Sequence, residues 1–384
     1  MTTMQPAPEK FGDIITPFYY YDLNTLRATL DTLKKESESS GYKVHYAVKS
    51  NYNPRILQTI STYGFGADCV SGNEIAAAIK AGFKPSETVF AGVGKTDREI
   101  EAALAADISC FNCESIPEIE VIDSLAARLN KTARIALRIN PHVEAHTHKY
   151  ITTAVEESKF GINTWELDSV VSKLGELENV KLTGIHFHIG SQITMMSVFK
   201  NLCTKLNDIQ KWFSSKGIFI ETVNVGGGLG IDYDDPSKPP PFEEYFALFR
   251  KHTELLPGQT LHMEPGRSVT GQCGSLISRT VFIKNGKTTR FAIIDAGMTD
   301  LIRPALYQAR HKIENLSSSG GKTCQYDVVG PVCESSDTFA QSVELPETQR
   351  GDFIAIRSAG AYGEAMASRY NLRNIPASYF SDDF

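Results

Sequence analysis

The sequence predicts a parallel (β/α)8 barrel of the TIM type followed by a C-terminal β-sandwich or β-barrel domain. Three observations predict it. Short β-branched runs alternate with longer segments of helical periodicity over roughly the first 270 residues. Eight strand candidates can be found there, the number that closes a barrel of this kind. Beyond about residue 270 the texture changes to strands and turn signals with few long helices.

The eight candidates are "KVHYAV" (43–48), "FGADCV" (65–70), "TVFAG" (88–92), "ISCFNC" (108–113), "RIALRIN" (134–140), "LTGIHFHI" (182–189), "TVNVGGG" (222–228) and "LHMEPG" (261–266). Segments such as "PRILQTISTY", "SGNEIAAAIKAG", "DREIEAALAA", "SIPEIEVIDSLAARLN" and "VFKNLCTKLNDIQKWFSSKG" lie between them and carry helical periodicity. The barrel is expected over 23–270. The β domain is expected over 271–384, with strands on both sides of the turn "NGK" and at "QYDVVGPVC", "SVELPE" and "DFIAIRSAGAY". The early run "PFYYYD" is expected to join it, so that 1–22 completes that domain.

Composition narrows the function. The chain has 384 residues, 41% hydrophobic and 22% charged, which is ordinary globular usage with room for two cores. A net charge of −6 without a basic run offers no footprint for a nucleic-acid backbone. The N-terminus lacks a basic region followed by an apolar stretch, and no run reaches membrane-spanning length, so neither nucleic acid nor membrane is expected as a partner and the cytoplasm is the expected location. Seven scattered cysteines do not form a secreted disulfide framework. Cys110 and Cys113 have zinc-like spacing but lack a second pair of ligands, and are read as strand residues without a metal role.

Barrels place their chemistry at the C-terminal ends of the strands. In this sequence those ends hold Lys49, Asp68, Arg138 with Asn140, His186 and His188 running into Ser191, the glycines 226–228, and Glu264 with Gly266 and Arg267. Each has an ordinary alternative. A lysine marks where a strand meets water, alternating histidines share a strand face, a glycine run makes a tight turn, and "EPGR" makes a surface ion pair. All of these would have to hold at once on one rim. A lysine able to bond an aldehyde, glycines that let backbone N–H groups approach a phosphate, a flat imidazole and a deep carboxylate together suggest pyridoxal phosphate.

The blocks "YAVKSN", "GFGADCVSGNEI", "VFAGVGKT", "HFHIGSQ", "GGGLGI", "MEPGR", "DAGMTDLIRPALY", "GPVCESSDTF" and "GAYGEAM" carry a resemblance. The chain resembles the fold-type-III pyridoxal-phosphate decarboxylases, and within them the branch acting on meso-diaminopimelate. The resemblance implies decarboxylation to L-lysine on a homodimer with shared sites. It makes Lys49 the cofactor lysine and Cys333 the acid that reprotonates the α-carbon. Asp68, His188, Ser191, Gly227, Gly228, Glu264, Gly266, Arg267 and Tyr362 are then cofactor residues, with Glu264 on the pyridine nitrogen. Arg267, Arg303, Tyr307, Glu334 and Tyr362 would meet the substrate. Ser336 stands where a glycine is expected, which bears on the geometry of that loop. A decarboxylase of ornithine or lysine would share Lys49, His188, Glu264 and Cys333 but is expected to lack the paired "LIRPALY" and "CES" elements. A racemase would need a second base, and a non-catalytic homologue is expected to have lost the lysine or the cysteine; both are present.

Overall fold

The structure is a computed structural model that describes residues 11–143, 159–318 and 320–384. Two compact units make up the chain: Leu30–Gly230 with Pro241–Gly266, and Met1–Thr29 with Ile231–Pro240 and Arg267–Phe384. The sequence suggested boundaries at 23 and 270, and nothing in its composition marks Ile231–Pro240 as part of the second unit.

The first unit is the barrel. Its parallel strands are Lys43–Ala47, Gly66–Cys69, Thr88–Phe90, Cys110–Cys113, Ala133–Asn140, Val180–His186, Thr222–Asn224 and Thr260–Met263. Each pairs with the next in this order, and Thr260–Met263 pairs back onto Lys43–Ala47 to close the ring. A two-residue strand, Ile162–Asn163, adds to the outside of Ala133–Asn140. Strands buried on both faces read as continuous apolar runs. Accordingly Ala67, Phe90, Phe111, Ile135, Leu137, Ile185, Val223 and Leu261 are all buried.

Helix starts follow the strands because the turns carry capping chemistry. Asn53 and Ser71 accept the backbone N–H groups of Arg55 and Glu74, Ser115 accepts that of Glu118, and Thr96 with Glu99 forms a capping box. Pro54 and Pro117 sit in first turns, where a missing N–H costs nothing.

The second unit is built on a mixed sheet. Its main path runs Ile313–Asn315, Phe353–Ile356, Gly274–Asn285, Arg290–Ile294, Thr323–Val329 and Thr338–Pro346. Phe18–Tyr21 pairs antiparallel with Gly274–Asn285 and parallel with Ala377–Phe380. The hairpin at "NGK" closes with Asn285 opposite Arg290. Phe11, Phe18, Tyr20, Ile277 and Phe353 pack into one apolar cluster.

Candidate active site

Strands end earlier than their hydrophobicity suggests, and the candidate residues stand just past the ends. Lys49 lies in one turn of 3₁₀ helix, Val48–Ser50. That turn is fixed from both sides: Tyr46 donates its hydroxyl to the Asn51 carbonyl at 2.9 Å, and the Ala47 N–H reaches the Pro265 carbonyl at 3.1 Å. Gly266 packs against it, because a methyl there would stand 3.0 Å from the Cβ atoms of Ala47 and Ser50. Lys49 Nζ is 2.6 Å from Asp68 Oδ2, and Asp68 is wholly buried. Asp68 Oδ1 has no partner. Burial and then the Glu264 charge push the Asp68 carboxyl above its ordinary range, and the Lys49 ammonium offsets part of this.

Glu264 is also buried and behaves oppositely. Its Oε2 accepts from His186 Nε2 at 2.9 Å and its Oε1 from Asn224 Nδ2 at 2.7 Å, with Asn112 Nδ2 at 3.4 Å. Burial raises this carboxyl, but His186, Lys49 and His45 more than offset that and hold it well below the ordinary range. His186 closes its strand and its Nδ1 has no partner; His188 lies beyond the strand end. Burial first, then the Arg138 and Lys49 charges, keep the His188 imidazole neutral by lowering its pKa. Arg138 is paired with the buried Glu114 at 2.5 Å. Among the described residues no cluster of three His, Cys, Asp or Glu could hold a metal.

The glycine run follows Asn224 as a turn with no helix directly after it; the next helix is Phe242–His252. The close approach at this turn is made by backbone. A methyl at Gly226 would stand 2.2 Å from the Phe187 carbonyl oxygen, and at Gly227 2.3 Å from that of Glu264. Ser191 is tied to this turn through Ile193, whose N–H meets the Gly228 carbonyl at 2.9 Å and whose carbonyl accepts from Gly230 at 2.9 Å. An amine beside a buried acid, a neutral imidazole, a charged carboxylate with two good donors and a side-chain-free turn fit pyridoxal phosphate.

In the second unit Arg267, Arg303 and Tyr362 form a cluster with Tyr233, which the sequence did not single out. Arg267 lies over the Tyr362 ring at 4.8 Å and donates to the Tyr233 hydroxyl at 2.6 Å. Arg303 opens a short helix, Arg303–Tyr307, and lies over the Tyr233 ring at 4.9 Å. It is 4% exposed, its Nη1 contacts His311, and its Nε has no partner. Tyr307 closes the same helix.

Cys333 and Glu334 are exposed on a loop whose geometry is set by another residue. Asp337, buried, accepts the Met298 N–H on Oδ1 and the Val332 N–H on Oδ2 at 2.6 and 2.7 Å. A methyl at Gly330 would collide with that carboxylate. Cys333 Sγ accepts from Asn371 Nδ2 at 3.3 Å, and Glu334 from the Tyr370 hydroxyl at 2.9 Å. Ser336 does not have a positive φ, so this loop does not require a glycine there.

The pyridoxal-binding domain of pyridoxal-dependent decarboxylases matches residues 23–271. A diaminopimelate decarboxylase of Bacteroides thetaiotaomicron is 54% identical over 378 residues, covering 98% of each chain. The chain belongs to the diaminopimelate decarboxylase family. An Aquifex aeolicus relative of that name is 40% identical, covering 97% of this chain and 87% of its own. The crystal structure of the Helicobacter pylori diaminopimelate decarboxylase complexed with L-lysine superposes with a TM-score of 0.92 at 38% identity, covering 98% of this chain and 94% of that one. A Vibrio vulnificus lysine/ornithine decarboxylase at 20% identity, with a TM-score of 0.85, shares the fold. As a family member the chain is a pyridoxal-phosphate-dependent amino-acid decarboxylase.

Proposed function

We propose that this chain converts meso-diaminopimelate to L-lysine and carbon dioxide, the last step of lysine biosynthesis. The observation that carries the choice of substrate is Arg303. A buried guanidinium with no carboxylate partner among the described residues is costly unless an anion joins it. Lysine and ornithine bring no second carboxylate, whereas diaminopimelate does.

Lys49 would hold the cofactor aldehyde, and His188, Asp68 and Glu264 its ring. In the barrel unit Ser191, Gly227, Gly228 and Gly266 would receive the phosphate end; in the second unit Arg267 and Tyr362 are the cofactor residues. The group would supply an acceptor for the electron pair left at the α-carbon on loss of carbon dioxide. Glu264 contributes a fixed negative charge, which its donors from His186 and Asn224 support. Arg303 takes the far carboxylate, with Arg267 and Tyr307 beside it, and Glu334 takes the far ammonium. Cys333 Sγ gives its proton to the α-carbon.

The working form is a homodimer with shared sites. In support, Cys333 and Glu334 are exposed on the pinned loop, and Leu372, next to the Asn371 that donates to Cys333, is 97% exposed, an apolar side chain that a second copy would cover. Cytoplasmic location is supported by seven cysteines that are all free; no helix among the described residues is long and apolar enough to cross a membrane. Carbon dioxide release by the purified holoenzyme from meso-diaminopimelate, lysine and ornithine tests the proposal. Faster release from lysine or ornithine refutes it.

A further inference from the structure

Arg303 raises a question of its own. A buried guanidinium that selects an anion must be held in one orientation, yet an acidic holder would take the charge the ligand needs. We propose that His311 is a positioning residue for substrate selection: it fixes the Arg303 guanidinium as a neutral hydrogen-bond acceptor and so leaves the positive charge for the far carboxylate. The inference rests on the assignment of Arg303 made above.

The direction of each hydrogen bond follows from its partner. His311 Nε2 is 2.8 Å from Arg303 Nη1, and a guanidinium has only donors, so Nε2 carries the lone pair. His311 Nδ1 is 2.8 Å from the Arg357 carbonyl, which only accepts, so Nδ1 carries the hydrogen. One neutral tautomer satisfies both. A second proton on Nε2 would face a cation at hydrogen-bond distance. Burial and then the Arg303 charge push the imidazole down to about 3, in keeping with that geometry.

Sequence separation explains why the frame is rigid. Arg303 opens its helix, His311 lies just beyond that helix, and Arg357 follows the strand Phe353–Ile356, paired in the sheet. The Tyr233 ring packs edge-on against His311 at 4.9 Å and also lies under the Arg303 guanidinium. With Nη1 held by His311, the guanidinium keeps its unpartnered Nε for an anion. A guanidinium can grip a carboxylate in two parallel hydrogen bonds.

Two substitutions separate the contacts. In His311→Asn the shorter amide still reaches the Arg357 carbonyl but not Arg303. In His311→Gln the longer amide restores an acceptor for Arg303. Each holoenzyme is assayed with meso-diaminopimelate and lysine, alongside Arg303→Ala, and the visible absorption of the bound cofactor checks the barrel site. His311→Asn should raise KM for meso-diaminopimelate ~10-fold or more, the range of a lost hydrogen bond to a charged group. Its kcat should change by less than ~3-fold and its kcat/KM on lysine should stay the same. His311→Gln should recover most of the loss. A wild-type KM in His311→Asn, an equal loss on both substrates, or no recovery in His311→Gln overturns the inference, provided Arg303→Ala does narrow the preference for diaminopimelate. If Arg303→Ala leaves the preference intact, the assignment of Arg303 falls and takes this inference with it.

Discussion

Replacing Gly227 with alanine tests whether the glycine turn and Glu264 behave as one piece. The added methyl would stand 2.3 Å from the Glu264 carbonyl oxygen and 3.3 Å from its carbonyl carbon. That is roughly 1 Å inside ordinary contact. Gly227 has no positive φ, so the penalty is steric rather than conformational. Nor is the neighbour the loose end of a side chain. It is backbone, tied to the turn by the Glu264 N–H on the Gly226 carbonyl at 2.8 Å. Overpacking of this kind costs ~1–3 kcal/mol. For a unit of this size the melting temperature should fall by roughly 2–10 °C. The displaced Glu264 carboxylate would also lose alignment with His186 and Asn224, so cofactor affinity should weaken ~10-fold or more, equivalent to ~1.4 kcal/mol. Titration of cofactor into cofactor-stripped protein, followed by its visible absorption, measures the second effect and thermal unfolding the first. Gly94→Ala is the control, since its methyl meets nothing within 4 Å and its φ is not positive; it should stay within ~0.5 kcal/mol of wild type. Unchanged affinity and melting in Gly227→Ala would refute the reasoning.

Three further outcomes are expected. Lys49→Ala should abolish turnover and leave no cofactor attached after borohydride reduction; label found on another lysine would overturn its role. Cys333→Ala should slow turnover ~10²–10⁴-fold with cofactor affinity kept, and mixing it with Lys49→Ala subunits should restore activity through hybrid dimers; no recovery despite subunit exchange would place Lys49 and Cys333 of each site on one chain. Asp300 carries a pH signature: burial pushes its carboxyl up from 3.8 to about 6 although Gly297 donates to Oδ2, and Oδ1 has no partner. The folded chain therefore binds this proton more tightly than the unfolded one, and stability is lost as pH rises from about 4 to 6. Asp300→Asn should be more stable than wild type above pH 6, by at most ~3 kcal/mol, with the gain vanishing below pH 4; a gain independent of pH in denaturant titrations would show another cause.

The eight barrel strands were legible because strands buried on both faces are mostly apolar. Their ends were not. The run 182–189 stops pairing as a strand at His186 and the run 222–228 at Asn224, yet Phe187, Ile189 and Val225 beyond them are fully buried. Hydrophobicity reports burial, and at the rim burial and single backbone hydrogen bonds, such as those from Phe187 to Asn224 and from Val225 to His262, outlast the regular strand. The residues that carry chemistry were visible because lysine, histidine, glutamate and glycine are unusual in such company. Their supports were invisible. His186 meets Glu264 across 78 residues, Tyr233 meets Arg267 across 34, and His311 meets Arg357 across 46. No local period encodes contacts of that kind. Asp337 is the intermediate case: it stands four residues after Cys333, but only its burial and its two backbone donors mark it as the residue that shapes the loop.

Asp68 and Glu264 show what the distant contacts decide. Both are carboxylates in the barrel unit, both are buried, and burial alone would make both reluctant to carry charge. Glu264 has strong donors on both oxygens, from His186 on one and Asn224 on the other. Asp68 has one, the Lys49 amine, and its second oxygen has no hydrogen-bond partner among the described residues. The environment accordingly pushes the pair apart, Glu264 down and Asp68 up. Two buried carboxyls in one unit are thus driven in opposite directions by their neighbours. Neither sequence context, "GADC" or "HMEP", distinguishes the two. The difference is made by Asn224 and His186, whose strands lie beside that of Glu264 or one further around the ring, and which hydrogen-bond Glu264 and not Asp68.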